Sequence, residues 1–221
     1  MVVNSASRHA AKTGGKATVV VADPGWIRVA GGVSGNGFTP AARTGEQAAS
    51  DPLAGYSISA AGPARNGGGT TLQPGVYGSA LEIKGGSVTF EPGLYVLRAG
   101  MEIKGQAIVT GTGVTIFNTT GDKGCKAIEV KNDASVTLAA PTDGDHAGLL
   151  IYQDAACDQV MAIKNTSRVA FLGTSYLPAA GVEVKDEAEA QLTQLIAGYL
   201  SVDGKAARLT VVYDGSKVAR R

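Results

Sequence analysis

Histidine, cysteine, aromatic side chains and an excess of either charge are all scarce in this 221-residue chain, and each shortage excludes something. With 20 basic and 19 acidic residues the formal net charge is +1, and no basic run exceeds Arg220-Arg221. Aromatics are not interleaved with the basic residues. Nucleic-acid binding therefore has no electrostatic footprint. No stretch approaches the ~18 apolar residues of a membrane span, so no direct membrane insertion by this segment is expected. Residues 1–15 also lack the apolar core of a signal peptide. Cys125 and Cys157 are the only cysteines. Two thiolates without CxxC spacing do not make a zinc site. His9 and His146 are the only histidines, and neither lies near a candidate nucleophile in sequence. GxSxG, HExxH and P-loop motifs are missing. No cofactor, no metal and no catalytic residue is expected. Aromatics make up 5%, which suits a thin aliphatic core better than a bulky sandwich.

Glycine is abundant instead. The 31 glycines are scattered, as many tight turns between short strands require. Apolar residues amount to 44%, enough for a globular core.

An internal repeat organises the chain. Leu81-Glu82-Ile83-Lys84, Met101-Glu102-Ile103-Lys104, Ile128-Glu129-Val130-Lys131, Met161-Ala162-Ile163-Lys164 and Val182-Glu183-Val184-Lys185 share the order apolar, usually Glu, β-branched, Lys. Their spacings are 20, 27, 33 and 21 residues. A second apolar stretch follows each one (Val88-Phe90, Ile108-Thr110, Val136-Leu138, Val169-Phe171, Gln191-Leu192) and then a third (Leu94-Leu97, Val114-Phe117, Leu149-Tyr152, Tyr176-Leu177, Leu195-Ile196). Three short strands in about twenty residues cannot bury their apolar side chains alone. Stacked units can, by parallel pairing at ~4.8 Å. The pattern predicts an all-β, single-stranded parallel β-helix (β-solenoid), right-handed by the crossover rule. The longer spacings are expected to be absorbed by loops around 118–126, 139–145 and 154–158.

The expected organisation is one structural domain in three parts. Residues 1–70 form an N-terminal capping coil, with strands at Ala17–Val21 and Trp26–Ala30, and an irregular Gly/Ala-rich loop. Residues 71–213 form the solenoid, with Ala207–Tyr213 as its last strand. Residues 214–221 form a flexible tail.

The same segments carry a resemblance. Val3-Asn4-Ser5, Val29-Ala30-Gly31-Gly32-Val33-Ser34 and Asp51-Pro52-Leu53-Ala54 come first. Leu72-Gln73-Pro74-Gly75-Val76-Tyr77 follows, with its echo Glu91-Pro92-Gly93-Leu94-Tyr95-Val96. Gly111-Thr112-Gly113-Val114-Thr115-Ile116-Phe117, Ala140-Pro141-Thr142-Asp143-Gly144 and Ala147-Gly148-Leu149-Leu150 complete the series. In this order and spacing they resemble the C-terminal region of TadG-like proteins, encoded with the tight-adherence (Flp) pilus assembly machinery. The resemblance implies an extracytoplasmic domain, in the periplasm or at the cell surface. It also implies a parent anchored in the membrane through an N-terminal segment that this sequence lacks, with pilus-assembly or envelope proteins as partners. It carries over no catalytic residue.

Three groups of side chains are candidate sites. Glu82, Glu102, Glu129 and Glu183 fall in one ladder, and Lys84, Lys104, Lys131, Lys164 and Lys185 in another. They form either a striped interaction face or a soluble, aggregation-resistant surface held by diagonal ion pairs. Cys125 and Cys157 precede equivalent strands on consecutive coils and stand within disulfide reach; the alternative is a pair of reduced, half-buried thiols. Asp143, Asp145, His146, Asp154 and Asp158 gather in the long loops, but their spacing matches no calcium loop and turn chemistry accounts for them. Trp26, Phe38, Tyr56, Tyr95 and Tyr152 can stack on sugars or pack. Thr89, Thr110 and Thr137 are too sparse for an ice-binding array. The functional expectation is a non-catalytic structural or interaction domain of a surface or pilus-assembly protein. A polysaccharide-binding or polysaccharide-cleaving β-helix is the alternative.

Overall fold

The computed structural model describes residues 1–219. Among them there are 22 strands and no helix. Every ladder between strands is parallel, and equivalent segments of successive coils lie side by side, as in a parallel β-solenoid. Each coil has three faces. The first carries the Glu/Lys repeat, the second the Val88-type strands and the third the Tyr95-type strands.

The stacking register decides the core. On the charged face Ile83, Ile103, Val130, Ile163, Val184 and Val202 follow one another coil by coil in a single file. All six are buried. The second face adds the file Val88, Val109, Val136, Val169, Ala190, Leu209 and Val19. Alternation along each strand puts these side chains inside and their neighbours outside. The corner after each charged-face strand is turned by residues with positive φ. Gly85, Gly105, Gln106, Asn132, Asp133, Asn165 and Asp186 serve there in successive coils. Apart from Gln106 these are the residue types that reach the left-handed region most cheaply, so a Gly, Asn or Asp after the Lys of each charged-face strand marks a corner.

The N-terminal segment caps the stack, but at the opposite end from that expected. Val2–Val3, Ala11–Gly15 and Thr18–Val21 pair with the C-terminal coil, with Val2 beside Ile196, Ala11 beside Leu200 and Thr18 beside Arg208. Arg28–Val29, Val33–Ser34 and Phe38–Thr39 then begin a further partial coil on top. The stack thus runs from residue 64 to residue 211 and continues into residues 2–39. The chain break between its last strand and its first does not interrupt the side-chain files. Val184 is followed by Val202 and then by Thr13.

Residues 31–70 were expected to be irregular loop; Val33–Ser34, Phe38–Thr39 and Ala64–Arg65 in that range form short paired strands instead, while residues 44–63 are without strand. They must carry the chain back to the other end of the stack, and they do so as a strap along the outside of the third face. Contacts occur in coil order. Asn4 exchanges hydrogen bonds with the Ala49 backbone, and the Tyr176 hydroxyl donates to Asp51 at 2.6 Å. The Tyr152 hydroxyl donates to the Tyr56 carbonyl at 2.9 Å, Arg98 reaches the Ala60 carbonyl, and Val76 N–H donates to Pro63. Leu53 and Ile58 of the strap cover a second apolar file that points outward from this face: Val76, Val96, Phe117, Tyr152, Tyr176 and Ile196. Its aromatic rings stack, Tyr152 on Tyr176 at 5.1 Å between centroids. Burial and the Asp51 carboxylate push the Tyr176 phenol well above its ordinary range.

A flexible tail was expected at 214–221. Residues 214–219 instead pack. Val218 is buried, Ala219 N–H donates to Thr174 Oγ1 at 2.9 Å, and Lys217 bridges Asp214 at 3.0 Å. Gly148 makes room for this return, since a Cβ there would lie 2.2 Å from the Val218 backbone. Positions 220 and 221 lie outside the described residues.

Because the inward file is continuous, one cavity in it should be felt by the whole stack. We predict that Ile103→Ala lowers the unfolding free energy in urea by about 2–5 kcal/mol, while Thr110→Ala, exposed on the second face, stays within about 0.5 kcal/mol. Similar losses from both variants would contradict the assignment of the core.

Candidate functional site

The three faces leave different surfaces to solvent. The third is covered by the strap. The second shows the file Thr71, Thr89, Thr110 and Thr137, aligned one per coil until Ala170 and Gln191 interrupt it. The charged face holds the residues singled out by sequence, so its geometry matters most.

Alternation turns Glu82, Glu102, Glu129 and Glu183 outward with Lys84, Lys104, Lys131, Lys164 and Lys185. Sequence reading anticipated diagonal pairs between coils, and these occur, but pairs within one strand are equally prominent. Lys84 meets Glu82 at 2.5 Å and Lys185 meets Glu183 at 2.5 Å; Lys104 bonds Glu102 in the same way. Between coils, Lys131 bridges Glu102 at 2.5 Å and Glu129 at 3.2 Å, and Lys164 reaches Glu129 at 2.8 Å. Lys104, Glu102, Lys131, Glu129 and Lys164 therefore form one unbroken chain of opposite charges. Ala162 stands where the next coil would carry Glu, and the chain stops there.

The proton affinities follow from this pairing. Hydrogen bonds from Lys104 and Lys131 lower Glu102 below its usual range, and those from Lys164 and Lys131 lower Glu129 against the opposing effect of burial. Glu82 is lowered by Lys84. Lys131 is raised by Glu102 and Glu129, and Lys185 by Glu183. These shifts move the acids and amines further from neutral pH.

The corner between the third and charged faces is opened into a groove of about 690 Å³. Glu82, Glu102 and Glu129 form its floor, and Arg98, Lys123 and Lys126 line it from the corner and from the loop that follows Asn118. Convergence of acidic and basic groups here was not legible in the sequence, because the loop's direction is a tertiary property. A disulfide between Cys125 and Cys157, with Cα atoms 5.4 Å apart, ties this loop to the long loop of the next coil. Behind it, Asn118 and Gln153 occupy adjacent inward positions that are apolar in other coils. Asn118 Nδ2 donates to Gln153 Oε1 at 3.0 Å and to the Lys126 carbonyl at 2.9 Å. Gln153 Nε2 donates to the Cys157 and Gln159 carbonyls at 3.1 and 2.7 Å. These two amides bind the carbonyls that the long loops turn inward, which is why polar side chains stand at core positions. The signal in the sequence was their fixed place at the ends of VTIFN and LLIYQ.

The acidic loop residues have separate uses. Asp154 accepts from Thr119 and from Ala156 N–H, Asp158 from Gln159, and His146 Nδ1 lies 2.6 Å from the Tyr56 hydroxyl. Among the described residues no three His, Cys, Asp or Glu gather as metal ligands. Of the aromatic candidates, Tyr95 is buried and Tyr56 and Tyr152 belong to the strap contact, while Phe38 is half-buried against the core. Trp26 remains exposed, with the Arg43 guanidinium 3.9 Å over its ring. With Tyr213 it rims an apolar groove of about 450 Å³ beside the C-terminal coil.

Compared with protein-family models, curated proteins and solved structures, the chain matches none.

Two outcomes follow from this geometry. Groups whose folded pKa is lowered stabilise the fold above the ordinary carboxylate pKa and cease to do so as pH falls through the lowered value. We predict that stability drops on acidification below about pH 4.5, and that Glu102→Gln with Glu129→Gln flattens this limb, measured as the thermal midpoint against pH. A wild-type curve that is flat below pH 4.5 would contradict the pairing. The disulfide closes a segment with a sequence separation of 32. Replacing both cysteines with serine should lower the unfolding free energy by about 3–4 kcal/mol, and dithiothreitol should have the same effect on the wild type but none on the variant.

Proposed function

We propose that this chain is a non-catalytic structural and interaction domain of an extracytoplasmic protein associated with pilus assembly or the cell envelope. The observation that carries this reading is the mutual pairing on the charged face. The acids and amines that stand out most in the sequence pair with one another within strands and from coil to coil. A cleaving enzyme of the β-helix type needs such groups free to exchange protons.

Further support comes from three directions. A disulfide suits an oxidising compartment. The strap and the N-terminal cap make a rod that exposes long, regular faces, a shape used for extended contact surfaces. The ordered resemblance to TadG-like proteins points to pilus-assembly or envelope proteins as partners, with a membrane anchor in the parent.

The test is copurification. A tagged chain expressed in the periplasm of a host that carries a tight-adherence pilus system should retain assembly subunits of that system, identified by mass spectrometry. It should lose them on charge reversal at Lys84, Lys164 and Lys185. Release of unsaturated products from acidic oligosaccharides, followed by absorbance, would instead make the chain a lyase and end the non-catalytic reading.

A further inference from the structure

The groove between the third and charged faces shares its glutamates with the ion pairs that join the coils, and its loop side takes no part in those pairs. We propose that it binds a linear, uncharged oligosaccharide lying parallel to the solenoid axis.

Periodicity supplies the first reason. The floor offers one carboxylate per coil, from Glu82, Glu102 and Glu129, which are aligned in register. Successive coils are ~4.8 Å apart. A pyranose unit in an extended glycan advances the chain by close to one such step, so each sugar lies over one carboxylate, with alternate units of a β-1,4 chain turning opposite edges to it. An extended peptide advances ~3.3 Å per residue and falls out of step. The groove has a volume of about 690 Å³ and spans three coils.

Complementary chemistry is the second reason. Sugar hydroxyls both donate and accept. The carboxylate floor accepts, and the wall offers the donors Arg98, Lys123 and Lys126 with one acceptor, Asp122. The floor disfavours a uronate, whose carboxylate would lie against the glutamates.

The third reason is pre-organisation, which removes ordering costs from binding. Lysines of the adjacent file hold the floor glutamates. The wall loop is fixed by the Cys125–Cys157 bond, by Asn118 and by close packing of Gly121, where a Cβ would lie 2.3 Å from the Arg98 carbonyl oxygen.

Calorimetric titration of the oxidised, full chain with two probes, cellotriose and the β-1,4-linked trimer of N-acetylglucosamine, tests the proposal. At least one should bind saturably. Lys123→Ala and Lys126→Ala, both exposed and outside the ion-pair chain, should each weaken it by about ten-fold, the loss of one charged hydrogen bond. Lys185→Ala, at the far end of the stripe, should leave binding unchanged. Saturable binding of neither trimer overturns the proposal, as does wild-type affinity in both wall variants or a preference for trigalacturonate. Chromatography of the titrated mixture separates binding in the groove from the non-catalytic reading on which it rests. Intact trimer keeps both readings, whereas cleaved trimer keeps the groove and removes the non-catalytic assignment.

Discussion

Register between parallel strands is the constraint on which this structure rests. A coil of about twenty residues has no interior of its own. Only when Ile83 lies over Ile103, and Ile103 over Val130, does each β-branched side chain lose its water on all sides. A slip of one residue would turn the aliphatic file outward and bring the Glu and Lys side chains inside. Burying those charges unpaired would cost far more than any loop rearrangement. The alternating pattern therefore selects one register, and the left-handed corners at Gly85, Asn132, Asn165 and Asp186 set where each strand must end.

An end of such a stack is an open edge, and any segment with matching inward residues can add to it. The first 39 residues illustrate this. Their apolar positions, Val3, Ala11, Val19 and Val21, continue the files of the C-terminal coil although they are distant in sequence. This placement creates the strap. Once the N-terminal segment sits at the far end, the chain must travel the length of the stack to begin its first regular coil. The route it takes covers the one face whose strands are apolar on both sides, as in VTIFN at Val114–Asn118.

Polar groups do two kinds of work. On the charged face they join coils through paired charges, a modest contribution for each exposed pair that grows when the pairs form a chain. At Asn118 and Gln153 they occupy the interior, where each amide binds backbone carbonyls of the long loops. The proposed groove arises where these two arrangements meet. Its floor is the outer side of the charged strands and its wall is the loop that the inner amide and the disulfide hold in place.

Local alternation and turn chemistry were enough to read the three-strand coil, the single file of aliphatic residues, the outward ladders of Glu and Lys and the proximity of Cys125 to Cys157. Each of these depends on residues near in sequence or on the repeat itself. The packed tail at Val218, the strap over Phe117 and Tyr152, and the groove wall at Lys123 and Lys126 were not legible in this way. Sequence alone determined what a coil is. Which free edge the N-terminal residues joined, and therefore which face was covered and which stayed open, was decided by the assembled stack. Both ends present similar parallel edges, and only completed side-chain files distinguish them.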